Sequence, residues 1–413
     1  MRKIKNFDSL ASTPARADLL NILEAGYATI DTQAVIKKSV TYSDATGVLT
    51  FVGEDPVRNR ISNGVKINTR EIERIFFFGF GKGSGRAACA IREILGERLA
   101  GGVVIDKVES ACSPIQSFVA DHPIPSERNV VAVQELARVA ESLSEKDLAI
   151  VAVMGGGSAL LCASQDELVA QQALYRRSLT EGENIHELNQ ERKRVGPLKG
   201  GGLAKLLYPA RVVGMIFSDV LGGCPEDVAS GPTYRDEENN LNLKYFAHVT
   251  NKVLVSNEQS LAAMAKEAER LGYMTHICQE PFYDSAEAIE KKLQEFSTPG
   301  SVVFAGGEVK VAVNKSGGVG GRCSYLGLHV AGSVRQDQLL IAAASDGSDN
   351  GTKAGVLVDS ATSERMEKAG VDVKSELEKL NTLPPFEKIG DVIETGRTGA
   401  NVSDWYILAT RKY

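Results

Sequence analysis

The pattern that most constrains this chain is a series of short, unbroken apolar segments, each ending at once in glycine or a small polar residue. Residues 75–80, 103–105, 148–154 and 212–217 are such segments in the first half. A strand with one face in water alternates apolar and polar residues, whereas a strand apolar throughout is covered on both faces. Amphipathic stretches of helical period lie between them, among them 85–99, with Ala87, Ile91, Leu95 and Leu99 on one side, and 127–143. The alternation predicts an α/β fold, a mainly parallel sheet covered by helices on both faces.

The later half repeats the style without repeating the sequence, with strands expected at 253–256, 275–278, 302–305, 309–313, 339–344 and 406–409. Two helices are expected within 8–40 and a hairpin over 40–51. A polar stretch, 234–243, contains Asp236, Glu237, Glu238, Asn239 and Asn240. It sets the expected division into domains 1–240 and 241–413, and 413 residues suit two or three domains.

The loops after these strands carry the chemistry. In order they are Gly79-Phe80-Gly81-Lys82-Gly83-Ser84-Gly85, Gly155-Gly156-Gly157-Ser158, Ser218-Asp219-Val220, Ser256-Asn257, Gly306-Gly307-Glu308 and Ser345-Asp346-Gly347. Open α/β sheets bind ligands at the carboxyl ends of strands. Glycine lets backbone approach a phosphate, and Lys82 adds a point charge. The second loop is either an anion cradle with a hydroxyl donor or a close-packed crossover in which Ser158 caps the following helix. A basic helix, 189–194, runs into a glycine loop at 197–202 and makes Arg192 and Lys199 candidate phosphate or carboxylate ligands. Gly317–Arg322 holds four glycines and brings Arg322 forward as a partner for a planar anion.

Several chemistries are excluded or weakened. No Gly-x-x-x-x-Gly-Lys-Ser/Thr string occurs. Gly-x-Gly-x-x-Gly fits neither register of the first loop, although Asp106 ends the next strand where a dinucleotide fingerprint asks for an acid. The six cysteines and five histidines are dispersed, which suits a reducing compartment and offers no zinc site. A net charge of −6 argues against nucleic acid as partner. No apolar run approaches the roughly 20 residues that cross a bilayer, and the first residues lack a signal-peptide core, so no membrane partner and a cytoplasmic location are expected. A homo-oligomer is left open.

Taken together, the strings resemble the glycerate 2-kinase family whose C-terminal part is called MOFRL. They run in that family's order: Gly81-Lys82-Gly83 with Arg86-Ala87-Ala88, His122-Pro123-Ile124-Pro125, Gly156-Gly157-Ser158, Lys199-Gly200-Gly201, Ser218-Asp219-Val220 with Ala229–Thr233, Ser256-Asn257, Gly306-Gly307-Glu308, Gly320-Gly321-Arg322, Ser345-Asp346-Gly347, and Thr398–Val402 with Asp404. The resemblance implies a Rossmann-like three-layer N-terminal domain, a smaller α/β C-terminal domain, and an active site in the cleft between them. It implies transfer of the γ-phosphoryl group of ATP to D-glycerate with Mg²⁺, giving 2-phosphoglycerate. Lys82 and Arg322 match its catalytic residues, and Asp219 and Asp346 are expected to bind the metal or take the hydroxyl proton. Gly81, Gly83, Gly156, Gly157, Ser158, Arg192, Lys199, Asn257 and Glu308 are the expected binding residues. Gly196, Gly223-Cys224, Cys323, Asn350-Gly351 and Arg397 depart from the family pattern. Two other activities stay open, an NAD(P)-dependent hydroxypyruvate reductase and a non-catalytic nucleotide- or sugar-acid-binding relative.

Overall fold

The computed structural model describes residues 2–55, 60–61, 64–181, 185–220, 222, 225–236, 241–311 and 318–411. Two compact units result, one of residues 32–256 and one joining residues 1–31 to 257–413. The helix α1 (Pro14–Thr29) belongs to the latter.

In the unit of residues 32–256, β1 (Val40–Ser43), β2 (Val48–Phe51) and β3 (Val65–Asn68) make a small antiparallel sheet, its first two strands being the expected hairpin. The larger sheet takes the apolar runs in turn. Its chain order is β4 (Arg74–Phe80), α2 (Ser84–Leu95), β5 (Leu99–Asp106), β6 (Ile115–Val119), α3 (Glu127–Ala140) and β7 (Asp147–Val153). Then follow α4 (Gln165–Glu181), α5 (Ile185–Val195), β8 (Arg211–Phe217) and β9 (Val249–Val255).

These strands lie in the order β9-β8-β7-β4-β5-β6, and every neighbouring pair is parallel. The chain therefore winds outward from β4 in one direction and from β7 in the other. The crevice where the direction reverses is where such sheets bind ligands. Phe78, Phe80, Val151, Val153 and Ile216 are buried there, as continuous apolar runs require.

The other unit contains α6 (Asn257–Arg270), β10 (Met274–Ile277), α7 (Ala286–Glu295), β11 (Ser301–Gly307) and α8 (Arg322–Val330). It continues with β12 (Gln338–Ala344), β13 (Gly355–Asp359), β14 (Val392–Ile393) and β15 (Asp404–Thr410). Its sheet order is β10-β11-β15-β12-β13-β14, and only β10–β11 is parallel. The late strand β15 inserts antiparallel between β11 and β12. An apolar run buried on both faces does not encode strand direction, so the parallel character of the first sheet did not carry over to this one.

Other expectations are corrected. The unit boundary falls after Ser256, not at 240/241, because β9 pairs along β8 and completes the earlier sheet. Residues 1–31 pack with the later half. Arg16, only 4% exposed, bonds Asp359 and Asp391, and Tyr27 stands edge-on to Trp405 at 5.2 Å. No strand forms at 309–311; residues 312 and 313 lie outside the described residues, as do Gly223, Cys224, Gly317 and the polar 237–240. β13 and β14 were not expected. Cys89 and Cys112 pair as a disulfide, which their isolated positions in the sequence did not signal.

Candidate active site

The turn after β7, on one side of the winding reversal, collects the densest set of candidate side chains. Gly156 has φ +80°, which glycine adopts without strain. A Cβ at Gly155 would stand 2.4 Å from Asp219 Oδ2, and one at Gly156 would stand 2.8 Å from His122 Nε2. At Gly157 it would meet Ala229 at 2.6 Å. The glycines thus let a carboxylate and an imidazole close onto the backbone itself. Among the described residues, the N–H groups of Gly155, Gly156 and Ser158 have no acceptor, while Ser158 Oγ meets Ser230 Oγ at 2.9 Å.

Three cations surround this turn. Lys82, Lys107 and Arg192 all face His122 electrostatically. None of them has an ion-pair partner among the described residues. Burial pulls the Arg192 guanidinium below its ordinary value, and Asp219 opposes that only in part. Burial and the same three cations hold the His122 imidazole down at about 4, so it is neutral at pH 7.

The loop after β4 is built differently from expectation. Its N–H groups at the start of α2 already have an anion inside the protein. Asp106 Oδ2 accepts from Gly83 at 3.0 Å and from Gly85 at 3.1 Å, and Lys82 N–H donates to Gly155 O at 2.9 Å. Gly81, with φ +113°, is glycine because a Cβ would lie 2.5 Å from Met154 O. Gly81 and Gly83 therefore hold the loop in place. The Lys82 side chain remains its only candidate group for a ligand.

Two more expected binding residues are used structurally. The Lys199 side chain is 0% exposed, its ammonium on Glu167 and on Leu161 O. Gly196 makes room for that pair, since a Cβ there would sit 2.6 Å from Lys199 Cδ and 2.7 Å from Glu167 Oε1. Asn257 is buried, donates to Val402 O at 2.6 Å and lies against Gly306. Both polar groups are spent on satisfying buried partners.

The unit containing residues 257–413 repeats the internal-anion device. Asp349 accepts from the N–H groups of Cys323 at 2.9 Å and Ser324 at 2.8 Å, filling the N-terminus of α8. A Cβ at Gly321 would collide with Asp349 Oδ1 at 2.1 Å. Arg322, the first residue of α8, keeps its side chain 52% exposed and pairs with Glu308 at 3.2 Å. Asp346 opens the turn after β12, its Oδ1 accepting from Ser348 N–H at 3.0 Å. Asn350 takes φ +54° where the family pattern has glycine, and asparagine is among the side chains that best tolerate that conformation.

Asp404 was quoted in the sequence pattern without a role. Burial, then Asp349 and Glu308, push its carboxyl well above the usual carboxylate range, against the pull of Arg322. Burial likewise raises Asp349. Lys107 was missed altogether, its only signal being its place directly after β5. Asp219 and Asp346 belong to different units, and no cluster of three or more His, Cys, Asp or Glu side chains suited to a metal occurs among the described residues. No described helix is long and apolar enough to cross a membrane.

A doubly wound parallel sheet, with three cations that have no ion pair among the described residues near a glycine turn at its reversal point, defines an α/β protein of the class whose ligand crevice lies at the strand ends. Its sequence profile matches a domain of unknown function (DUF4147) over residues 18–264 and the MOFRL family over 301–404. The chain belongs to the glycerate 2-kinase family. A D-glycerate 2-kinase of Thermotoga maritima is 30% identical over 379 residues, covering 81% of this chain and 90% of that one. A glycerate 2-kinase of Pyrococcus horikoshii is 28% identical over 421 residues, covering 86% and 94%. A human glycerate kinase is 28% identical, covering 82% and 85%. A crystal structure of a Pyrococcus horikoshii protein superposes with a TM-score of 0.78 at 25% identity, covering 97% of this chain and all of that one. Another, of a Thermotoga maritima glycerate kinase, superposes at 0.77 with 24% identity over 94% and 98%, a likeness of fold.

Proposed function

We propose that this protein is a glycerate kinase that moves the γ-phosphoryl group of ATP to the 2-hydroxyl of D-glycerate. The observation that carries the reading is that Arg192, half-buried and without an ion pair among the described residues, shares with Lys82 and Lys107 the electrostatic surroundings of His122 at the Gly155–Ser158 turn. Partial burial disfavours the charged guanidinium, Asp219 compensates only in part, and a polyphosphate would supply further negative charge.

Lys82, Lys107 and Arg192 neutralise the phosphates, and the open N–H groups of Gly155, Gly156 and Ser158 hydrogen-bond them. Arg322 engages the glycerate carboxylate or the moving phosphoryl group, and Glu308 holds its guanidinium in place. Catalysis is then mainly positioning and charge neutralisation. Magnesium is commonly held by one or two carboxylates together with substrate phosphates, a mode that Asp219 or Asp346 would fit, and no three-ligand cluster occurs among the described residues. Once bound, the ion supplies additional neutralisation of the phosphate oxygens.

The reductase alternative is not favoured, because Asp106, the acid a dinucleotide ribose would need, accepts the Gly83 and Gly85 N–H groups. Purified protein supplied with D-glycerate, ATP and Mg²⁺ is expected to release ADP, and Lys82→Ala to lower kcat/KM at least about 100-fold. Turnover confined to hydroxypyruvate with NADH would reverse this conclusion.

A further inference from the structure

The His-Pro-Ile-Pro string has no part in the scheme above, yet its histidine lies on the same turn as the phosphate-binding groups. We propose that His122 is a catalytic residue of this site, taking the proton from the acceptor hydroxyl as the phosphoryl group arrives. The inference rests on the kinase reading and adds the group that reading left undivided between two aspartates.

The placement is geometric. His122 Nε2 comes so close to Gly156 that a Cβ there would lie 2.8 Å away, and Gly156 is one of the three residues whose N–H groups stand open. No side chain or backbone group among the described residues hydrogen-bonds the imidazole from another residue. Its sequence neighbour Asp121 is occupied elsewhere, its carboxylate accepting from Ser126 Oγ at 2.5 Å. The charged groups facing the ring are Lys82 from the loop after β4, Lys107 from the end of β5 and Arg192 from α5, with Asp219 on the adjoining Gly155. A histidine evolved as an anion contact would gain by being charged. This one is kept neutral by burial and by the three cations, so it has an acceptor nitrogen.

The same arrangement times the proton transfer. Polyphosphate offsets the three cations, and the basicity of the imidazole rises when the nucleotide occupies the turn. As the hydroxyl oxygen forms its bond to the γ-phosphorus and the bond to the β,γ-bridging oxygen breaks, the hydroxyl proton passes to His122. The nucleoside diphosphate leaves with the electron pair, and the imidazolium returns its proton to solvent.

The imidazole can be followed by NMR, with the His122→Asn spectrum assigning its signal among the five histidines. Adding inorganic tripolyphosphate should move its pKa upward from about 4. An unmoved value places the ring away from the anion and overturns the proposal. In the kinase assay, His122→Asn and His122→Gln should lower kcat about 10²–10⁴-fold with little change in KM for ATP, and should abolish the acid limb of the kcat–pH profile. A kcat within about threefold of the unaltered protein, with that limb retained, also overturns it. If the unaltered protein forms no ADP from D-glycerate while tripolyphosphate still raises the imidazole pKa, the kinase reading fails and the position of His122 at the polyphosphate is supported.

Discussion

Lys199 and Arg192 come from one basic stretch and meet opposite fates. The Lys199 ammonium is sealed against Glu167, whereas the Arg192 guanidinium is half-buried with no ion-pair partner among the described residues. Nothing local distinguishes them, because the partner Glu167 is supplied by α4, more than a helix away in sequence. Asp404 shows the same dependence on distant neighbours and gives a pH prediction. Its folded pKa lies above the unfolded value of about 3.9, so the folded state binds more protons across the interval between them. Its contribution to stability is complete below about pH 4 and is lost as pH rises toward the folded pKa. Asp404→Asn removes that loss. Its melting temperature should exceed that of the unaltered protein at pH 7, with the difference closing toward pH 4. A lower melting temperature at pH 7 would mean that the ionised carboxylate stabilises the fold.

The starts of α2 and α8 share one construction, in which a carboxylate from a later segment fills the helix N-terminus and glycines clear its approach. Asp106 does this for α2, and Asp349 for α8. The glycine loops were plain in the sequence, and they read as cradles because the local string does not say which anion fills them. The answer came from Asp106 at the far end of β5, which parallel pairing with β4 brings alongside. At Gly155–Ser158 no acid among the described residues accepts the N–H groups of Gly155, Gly156 and Ser158. Asp106→Asn keeps the shape but loses the charge at the helix dipole and one acceptor. It should cost about 1–2 kcal/mol in denaturant unfolding, and an unchanged midpoint would show that the carboxylate is dispensable to α2.

The two units are each stabilised by contacts far apart in sequence. Arg16 on α1 reaches Asp359 at 2.6 Å and Asp391 at 2.8 Å, and Arg365 joins the same carboxylates. Arg16→Leu leaves Asp391, whose side chain is 1% exposed, with Arg365 alone. A loss of about 3 kcal/mol is expected, at the low end of the range for a broken buried pair because one partner survives. Hydrogen exchange should accelerate in β12, β13 and β15 and stay unchanged in β4, β7 and β8. Equal acceleration in both sets would mean that the units unfold as one.

Apolar runs and glycine breaks were enough to establish that this chain alternates strands and helices and that its chemistry lies in the loops between them. Those features are local, set by the burial of each strand on both faces and by the backbone freedom each turn needs. Strand direction in the second sheet, the return of residues 1–31 to the later half, and the division of charged residues into sealed and open ones were decided only by the tertiary structure. Each depends on which partner arrives from elsewhere in the chain, and a charge is worth something different once its partner, or the lack of one, is set in a low-dielectric interior.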